Sequence, residues 1–362
     1  MLVTILIFIA ILGIVVLSHE FGHFIVAKKA GMRVEEFGFG FPPRLFGFKK
    51  GETLYSINLL PVGGFVKIFG EDGGERQDPK SFSSNSVFAR SLVIVAGVVM
   101  NIILAYALFS ASHMLGILTV VSSDEPLSGN VSDVAVYIVA VNAGSPASQG
   151  GLKAGDKITT LVADGERLSV SFVSEVQEFI EANRGEEVVF TVARGTESLD
   201  LNVAVREEDP EEEGLTGIGL ERAGILRQPL HTALFEGAKT TYNFSVLSVA
   251  AFGRVISDAI STGKISQDVS GPLGIAVMTG TVKDLGFVYI LQFIGLISLS
   301  LGIINIVPFP ALDGGRFAFL IAEKIKGSPL PQRFEGYANV AGFAALILLI
   351  ILITVHDVKK FF

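Results

Sequence analysis

The stretch LVTILIFIAILGIVVLSHEFGHFIVA, residues 2–27, decides how the rest of the chain is interpreted. Its only ionisable side chains are those of His19, Glu20 and His23. An apolar run of this length can cross a bilayer as a helix. Ionisable groups inside such a helix are costly, so they are functional candidates by default. The alternative is a pair of interfacial histidines at the end of a span, with the glutamate facing nearby lysines.

Composition places the whole chain among membrane proteins. Half of its 362 residues are hydrophobic and only 18% are charged, which is unusual for a soluble protein. The predicted fold is a polytopic α-helical membrane protein with four transmembrane helices, at about 2–27, 91–115, 285–307 and 337–355. The first run has no basic residue before it and no clear cleavage site, so we expect a span rather than a signal peptide. The absence of cysteine excludes disulfides and thiolate metal sites.

The distribution of charge predicts the orientation of the spans. Segment 28–90 carries ten Lys and Arg residues and segment 308–336 carries four, so both are expected on the cytoplasmic side. Both termini and segment 122–284 then lie on the outer side. Residues 122–222 hold 20 acidic and 7 basic residues, which supports that side. Two lysines, Lys359 and Lys360, mildly oppose the assignment.

Two regions between the spans have patterns of their own. Residues 33–70 read as short apolar strands, at 37–41, 45–48, 53–60 and 62–69. They form either a small sheet on the inner membrane face or a β-element that enters the membrane beside the helices. In the second case an open edge could pair with an extended peptide.

The second region, within 122–222, resembles a single PDZ domain of the bacterial type. Its signature is Gly144-Ser145-Pro146-Ala147, then Gly151-Leu152 leading to Gly155-Asp156, and a turn at Asp164-Gly165. A helix is predicted at 172–182 and closing strands at 188–193 and 199–205. PDZ domains bind extended peptides by adding them to a sheet edge. Residues 223–284 are predicted to form an outer-side helical connector, and 1–121 and 285–362 the two membrane parts.

The triplet in the first span has the spacing of a metal site. His19 and His23 are four residues apart, so they share one face of a helix. In an H-E-x-x-H helix the histidines hold zinc and the glutamate acts as general base. A third ligand is needed. Asp313 is the candidate, because Pro308 and Pro310 end the third span just before it. Its alternative reading is a helix cap in a loop.

These motifs together resemble the site-two protease family of intramembrane zinc proteases, in its bacterial RseP-like branch. The likeness rests on His19–Phe41 and on Asn305–Arg316, with support from Gly63–Lys67 and Ser270–Pro272. It implies Zn²⁺ held by the side chains of His19, His23 and Asp313.

The resemblance also assigns roles around the metal. Glu20 would be the catalytic acid and base, and Asn305 would handle the substrate backbone. A membrane-reentrant β-loop at about 55–70, including Gly64, Phe65 and Val66, would clamp the substrate.

The implied function is cleavage of transmembrane segments of single-pass proteins in the bacterial inner membrane. Substrates would be anti-sigma factor stubs or signal-peptide remnants, cut near the cytoplasmic side. The PDZ domain would act as a substrate gate with a possible peptide ligand of its own. Partners are therefore the lipid bilayer and membrane proteins, and no nucleic acid is expected.

Some features depart from the family pattern. Val98 stands where a proline is expected before Asn101, and Arg316 where some relatives have histidine. A single PDZ domain replaces the tandem pair of the best-known member. Two rival functions stay open at this point, a metal transporter and a catalytically inactive PDZ scaffold.

Overall fold

The computed structural model describes residues 2–75, 77–121, 131–195, 197–209, 213–262 and 270–361. Contacts divide the chain into two units. Unit 1 comprises Met1–Ser110, Leu234–Thr281 and Ile290–Phe362, and unit 2 comprises Ala111–Ala233 and Val282–Tyr289.

The helices follow one another along the chain with these bounds: α1 Leu2–Lys29, α2 Val87–Leu115, α3 Pro146–Gln149, α4 Val173–Ala182, α5 Leu230–Thr262, α6 Pro272–Leu285, α7 Phe287–Ile306, α8 Asp313–Lys326 and α9 Gln332–Phe361. The strands have these bounds: β1 Val34–Lys50, β2 Thr53–Ile68, β3 Ile117–Val120, β4 Val131–Val141, β5 Lys157–Ala163, β6 Glu166–Ser169, β7 Glu187–Arg194, β8 Glu197–Ala204 and β9 Ile218–Leu226.

Four helices in the described part of the chain are long and apolar enough to cross a membrane, namely α1, α2, α7 and α9. At a rise of about 1.5 Å per residue, even 20 residues span about 30 Å, the thickness of a hydrocarbon core. The structure therefore has a candidate membrane-spanning helix at each of the four predicted positions. The 14-residue helix α6, just before α7, was predicted only as part of a helical connector.

Two of these spans approach each other through glycine. A Cβ atom added at Gly22 of α1 would lie 2.3 Å from the carbonyl oxygen of Ala96 in α2. Only a residue without a side chain allows this approach. The first two spans are thereby held close together at the depth of the H-E-x-x-H motif.

The β-element of unit 1 is a long hairpin rather than a set of short strands. β1 and β2 pair antiparallel and are joined by a turn in which Gly51 has a φ of +63°. Separate strands were predicted at 37–41 and 45–48, but β1 continues through the prolines at 42 and 43 with irregular register. Residues 36–39 have partners on both sides, 64–67 and 54–57. The hairpin is thus folded on itself, and segment 64–67 borders β1 on one side.

Unit 2 is built on one sheet with the strand order β3-β9-β4-β5-β7-β8, and β6 pairs with β5. Its core contains the fully buried side chains of Val136, Ile158, Val188 and Phe190. Helix α3 begins at Pro146 after Ser145, whose hydroxyl accepts a hydrogen bond from the Ser148 amide. The helix expected at 172–182 is α4, which begins at Val173.

Three strands of unit 2, β3, β6 and β9, lie in stretches to which no strand had been assigned. β3 comes directly after the span predicted at 91–115. β9 nevertheless lies inside the sheet, between β3 and β4. The sequence also predicts a linker at 122–133, most of which lies outside the described residues, and β4 already begins at Val131.

Candidate metal centre

The α-helical period brings the two histidines of α1 together. Their ring centroids are 4.7 Å apart, and the two Nε2 atoms are 3.1 Å apart. His19 is buried, and the side chain of His23 is 12% exposed. Both rings therefore present a nitrogen to the same point, away from lipid.

Asp313 reaches that point from another helix. Its Oδ2 atom lies 3.0 Å from His19 Nε2 and 3.2 Å from His23 Nε2. Burial raises the pKa of the Asp313 carboxyl, but the neighbouring imidazoles of His19 and His23 outweigh this effect and lower the pKa below its usual value. The carboxylate is therefore ionised, as a metal ligand must be.

The chain after α7 folds tightly to place this aspartate. Asp313 is the first residue of α8, and a Cβ at Gly314 or Gly315 would lie within 2.4 Å of a carbonyl oxygen of the preceding loop. The Ala311 amide of that loop donates to Asn339 Oδ1 of α9 at 3.1 Å. The two glycines allow the close turn, and α9 anchors it.

The three ligand atoms fit a metal ion. Two imidazole nitrogens and a carboxylate oxygen all lie within 4.8 Å of one another, in a group that could hold a metal. Tetrahedral zinc with bonds of about 2.0–2.2 Å requires ligand atoms about 3.3–3.5 Å apart. The observed separations of 3.0–3.2 Å are close to that value. These are nitrogen and oxygen donors of the kind that zinc accepts.

A hydrogen bond outside the centre fixes one ligand. His23 Nδ1 lies 2.8 Å from the carbonyl oxygen of Val93 in α2. This nitrogen must carry the proton, because a carbonyl can only accept. Nε2 is then left with a lone pair for the metal, which is the usual arrangement around a zinc-bound histidine. The sequence carried no sign of this partner.

The other residues predicted for the site are not all brought to it. A cavity of about 210 Å³ is lined by His19, Glu20, His23 and Asp313, and also by Gly64, Phe65 and Val66 of β2. A Cβ at Gly64 would lie 3.2 Å from Glu20 Cγ, so β2 passes directly beside the glutamate. Asn305 is half-buried in the last turn of α7 and is not among the residues that line this cavity.

An ion pair that was not predicted lies at the same cavity. Arg316, one turn after Asp313, donates from Nη1 to Glu71 Oε1 at 2.6 Å. Glu71 follows β2 in a stretch that reads as a polar connecting loop. The pair joins α8 to the end of the β-element beside the metal centre.

A triad that could hold a metal, next to a glutamate and with its two histidines on a helix able to cross a membrane, is typical of a membrane metalloprotease. Comparison with known proteins agrees with this class. Residues 7–349 match peptidase family M50, so the chain belongs to peptidase family M50, the site-two protease family. It is a zinc metalloendopeptidase of the intramembrane type, and its cofactor is zinc.

Named relatives cover the whole chain. It is 30% identical to the regulator of sigma-W protease RasP of Bacillus subtilis, over 99% of both chains. It is 29% identical to the zinc metalloprotease RasP of Geobacillus kaustophilus, over 98% of this chain and 97% of that one. A putative zinc metalloprotease of Clostridium acetobutylicum is 33% identical over 96% of this chain and 94% of its own.

Proposed function

We propose that His19, His23 and Asp313 hold the catalytic zinc and that Glu20 is the catalytic acid and base. The observation that carries this proposal is the convergence of the three ligand atoms within 3.2 Å of one another, in a cavity that Glu20 also lines. Bound zinc supplies Lewis-acid chemistry, which makes water nucleophilic near neutral pH and polarises a carbonyl. Glu20 takes the proton of the attacking water and delivers it to the leaving amine.

The substrate is held as an extended strand. A transmembrane helix has its carbonyl groups hydrogen-bonded internally, so it must unwind before it is cut. Gly64, Phe65 and Val66 line the cavity beside Glu20, and β1 pairs with this segment at Phe39, Gly38 and Phe37. We assign this segment of β2 to strand addition with the unwound substrate. Asn305 keeps its proposed role in handling the substrate backbone on the resemblance alone.

The substrates proposed are single-pass membrane proteins. The Bacillus subtilis relative is named as a regulator of sigma-W, which points to anti-sigma factor stubs as one class. Signal-peptide remnants are the other class.

Unit 2 is the proposed PDZ domain and substrate gate. β9 pairs with β4 on one side, and on the other side β3 and Val121 cover its residues 222–226. Within the described residues, 218–221 of β9 pair on one side only. The ring of Phe172, at the start of α4, lies against the Arg222 guanidinium at 4.7 Å from the centroid, next to this edge. The edge of β9 that a peptide ligand could pair with is therefore short, because β3 pairs with the rest of that edge.

The decisive experiment measures zinc content and cleavage of a one-span model substrate by the purified full chain. Glu20→Gln is expected to keep zinc and lose cleavage, whereas Asp313→Ala loses both. Glu181→Gln, on an exposed ion pair of unit 2, is the control and should change neither. Full zinc and activity in Asp313→Ala would remove the third ligand from the proposal.

We also propose that the chain lies in the bacterial inner membrane, with unit 2 outside and the metal centre toward the cytoplasm. A separate experiment tests this topology. The chain has no cysteine, so an introduced one is a unique label. Glu166→Cys should react with an impermeant maleimide in spheroplasts, and Lys49→Cys only after lysis. Both positions are exposed. The reverse pattern would invert the topology.

A further inference from the structure

The two histidines of the metal centre do not have equivalent surroundings. His23 has its Nδ1 atom bound to a backbone carbonyl. The corresponding atom of His19 faces the side chain of Asn101 in α2, with 3.4 Å between His19 Nδ1 and Asn101 Nδ2. The sequence drew attention to Asn101 only because the family pattern has a proline shortly before this asparagine.

Asn101 is a completely buried polar residue, and one polar atom of its side chain has no hydrogen-bond partner among the described residues. Its exposed fraction is 0%, and that atom is the side-chain oxygen. A buried polar atom without a partner costs about 1–3 kcal/mol, so such an atom in a native protein needs an explanation.

Metal binding gives the amide oxygen a partner. If His19 binds metal through Nε2, its neutral ring carries the proton on Nδ1. An amide NH₂ group cannot accept that proton, but the amide oxygen can. The two ends of an Asn amide exchange by a 180° rotation, and their assignment follows from the hydrogen-bond network. With the oxygen toward His19, the amide oxygen accepts the ring N–H, and the NH₂ group takes the position that the oxygen had.

The surroundings hold Asn101 in place for this contact. Ser298 of α7 is itself fully buried and donates from Oγ to the Asn101 backbone carbonyl at 2.9 Å. One turn earlier, the bare backbone of Gly97 lies against both imidazole rings. The segment 97–101 of α2 therefore forms the wall against which the ligand rings rest.

We propose that Asn101 is a positioning residue of the metal centre, whose amide oxygen accepts the Nδ1–H of His19 and fixes the tautomer and orientation of that ligand. The inference rests on the proposed ligand set. It assigns to each histidine a partner of the kind that zinc-binding histidines have, a backbone carbonyl for His23 and a side-chain carbonyl for His19. Loss of such a partner typically weakens metal affinity about 10- to 100-fold.

The test measures zinc affinity by chelator competition on the full chain in detergent. Asn101→Leu keeps the branching at Cγ and removes the acceptor, so affinity should fall about 10- to 100-fold. Asn101→Asp restores an acceptor and should stay within about threefold of the wild type, which is small beside that loss. Thr279→Val is the control, because it removes a buried hydrogen bond within α6, from Thr279 Oγ1 to the Ile275 carbonyl, without touching Asn101 or the rings, and it should retain wild-type affinity.

The visible spectrum of the Co²⁺-loaded protein gives a second readout, since it reports ligand geometry. It should change in Asn101→Leu and be unchanged in Asn101→Asp. Wild-type affinity in Asn101→Leu, or an equal loss in Asn101→Asp, would overturn the inference. His19→Ala tests the ligand set separately. Wild-type zinc affinity in this variant would contradict the proposed ligand set itself, whatever the Asn101 variants show.

Discussion

The backbone of α2 lies directly against the two histidines proposed as metal ligands, which makes one glycine a sensitive position. A Cβ at Gly97 would lie 2.4 Å from His23 Nε2 and 2.7 Å from His19 Cε1. We predict that Gly97→Ala displaces the rings and lowers zinc affinity at least about tenfold. The measurement is chelator competition on the purified chain.

The control for this substitution is Gly253→Ala in α5. No atom lies within 4 Å of the Cβ that would be added there, and the residue is exposed. Ala in an exposed helix should be neutral or stabilise by about 0.5–1 kcal/mol. Equal zinc affinity in the two variants would show that α2 does not press on the ligands.

A second residue-scale prediction concerns a buried ion pair of unit 2. Asp156 is completely buried and accepts from Arg194 through both oxygens at 2.7 Å, and from the Lys153 amide at 2.9 Å. Asp156→Ala leaves the guanidinium unpaired and should destabilise unit 2 by about 3–5 kcal/mol. Pulse proteolysis of the full chain, followed at unit 2, measures this.

The exposed pair between Arg184 and Glu181 is the comparison for Asp156. Its partners are 44% and 59% exposed, so Glu181→Ala should cost no more than about 1 kcal/mol. If the two variants were equally stable, the buried pair would contribute nothing beyond a surface pair.

At the scale of elements, the last helix holds the beginning of α6. Asp357 of α9 is completely buried and accepts hydrogen bonds from the amides of Gly271 and Gly274, at 2.8–3.1 Å. A carboxylate at a helix N-terminus satisfies amides that have no partner within the helix. Asp357→Ala should destabilise unit 1 by about 2–5 kcal/mol, because two buried amides lose their acceptor.

Thermal unfolding of the detergent-solubilised chain measures the effect of Asp357→Ala. Thr354→Val, one turn earlier on α9, removes only a bond within the helix, from Thr354 Oγ1 to Ile350 O. It should change stability by less than about 1 kcal/mol. A similar loss in both variants would mean that the contact with α6 is not the source of the effect.

At the scale of the whole molecule, zinc should stabilise one unit only. All three proposed ligands belong to unit 1. A ligand that binds only the folded state stabilises it by about 2.7 kcal/mol when its free concentration is 100 times its Kd. Chelation should therefore lower hydrogen-exchange protection in α1 and α8 and leave β5 and β7 of unit 2 unchanged. Equal loss of protection in both units would contradict this.

The sequence alone determined the features that depend on short-range patterns. Apolar length gave the four spans, because a bilayer requires about 20 apolar residues in any helix that crosses it. The helical period placed His19 and His23 on one face, since residues four apart are neighbours on a helix. Asp313 could also be proposed from the sequence, because two prolines and two glycines mark a helix end beside it.

Strands with weak or misleading patterns were missed. β3 is a four-residue apolar segment after a long apolar helix, and periodicity cannot separate the two. The break comes at Gly116, whose φ is +115°. β9 contains two glycines and a Glu-Arg pair, so its local propensity is low. It is a strand because β4 and β3 pair with it on both sides.

Only the tertiary structure decided which groups surround the metal centre. Val93, Gly97 and Asn101 are about 70–80 residues from the histidines in sequence, and nothing local in α2 marks them as neighbours. They meet the rings because Gly22 lets α1 and α2 approach until backbone touches side chain. The two proposed histidine ligands were thus readable from one helix, whereas their orientation depends on the packing of another helix against it.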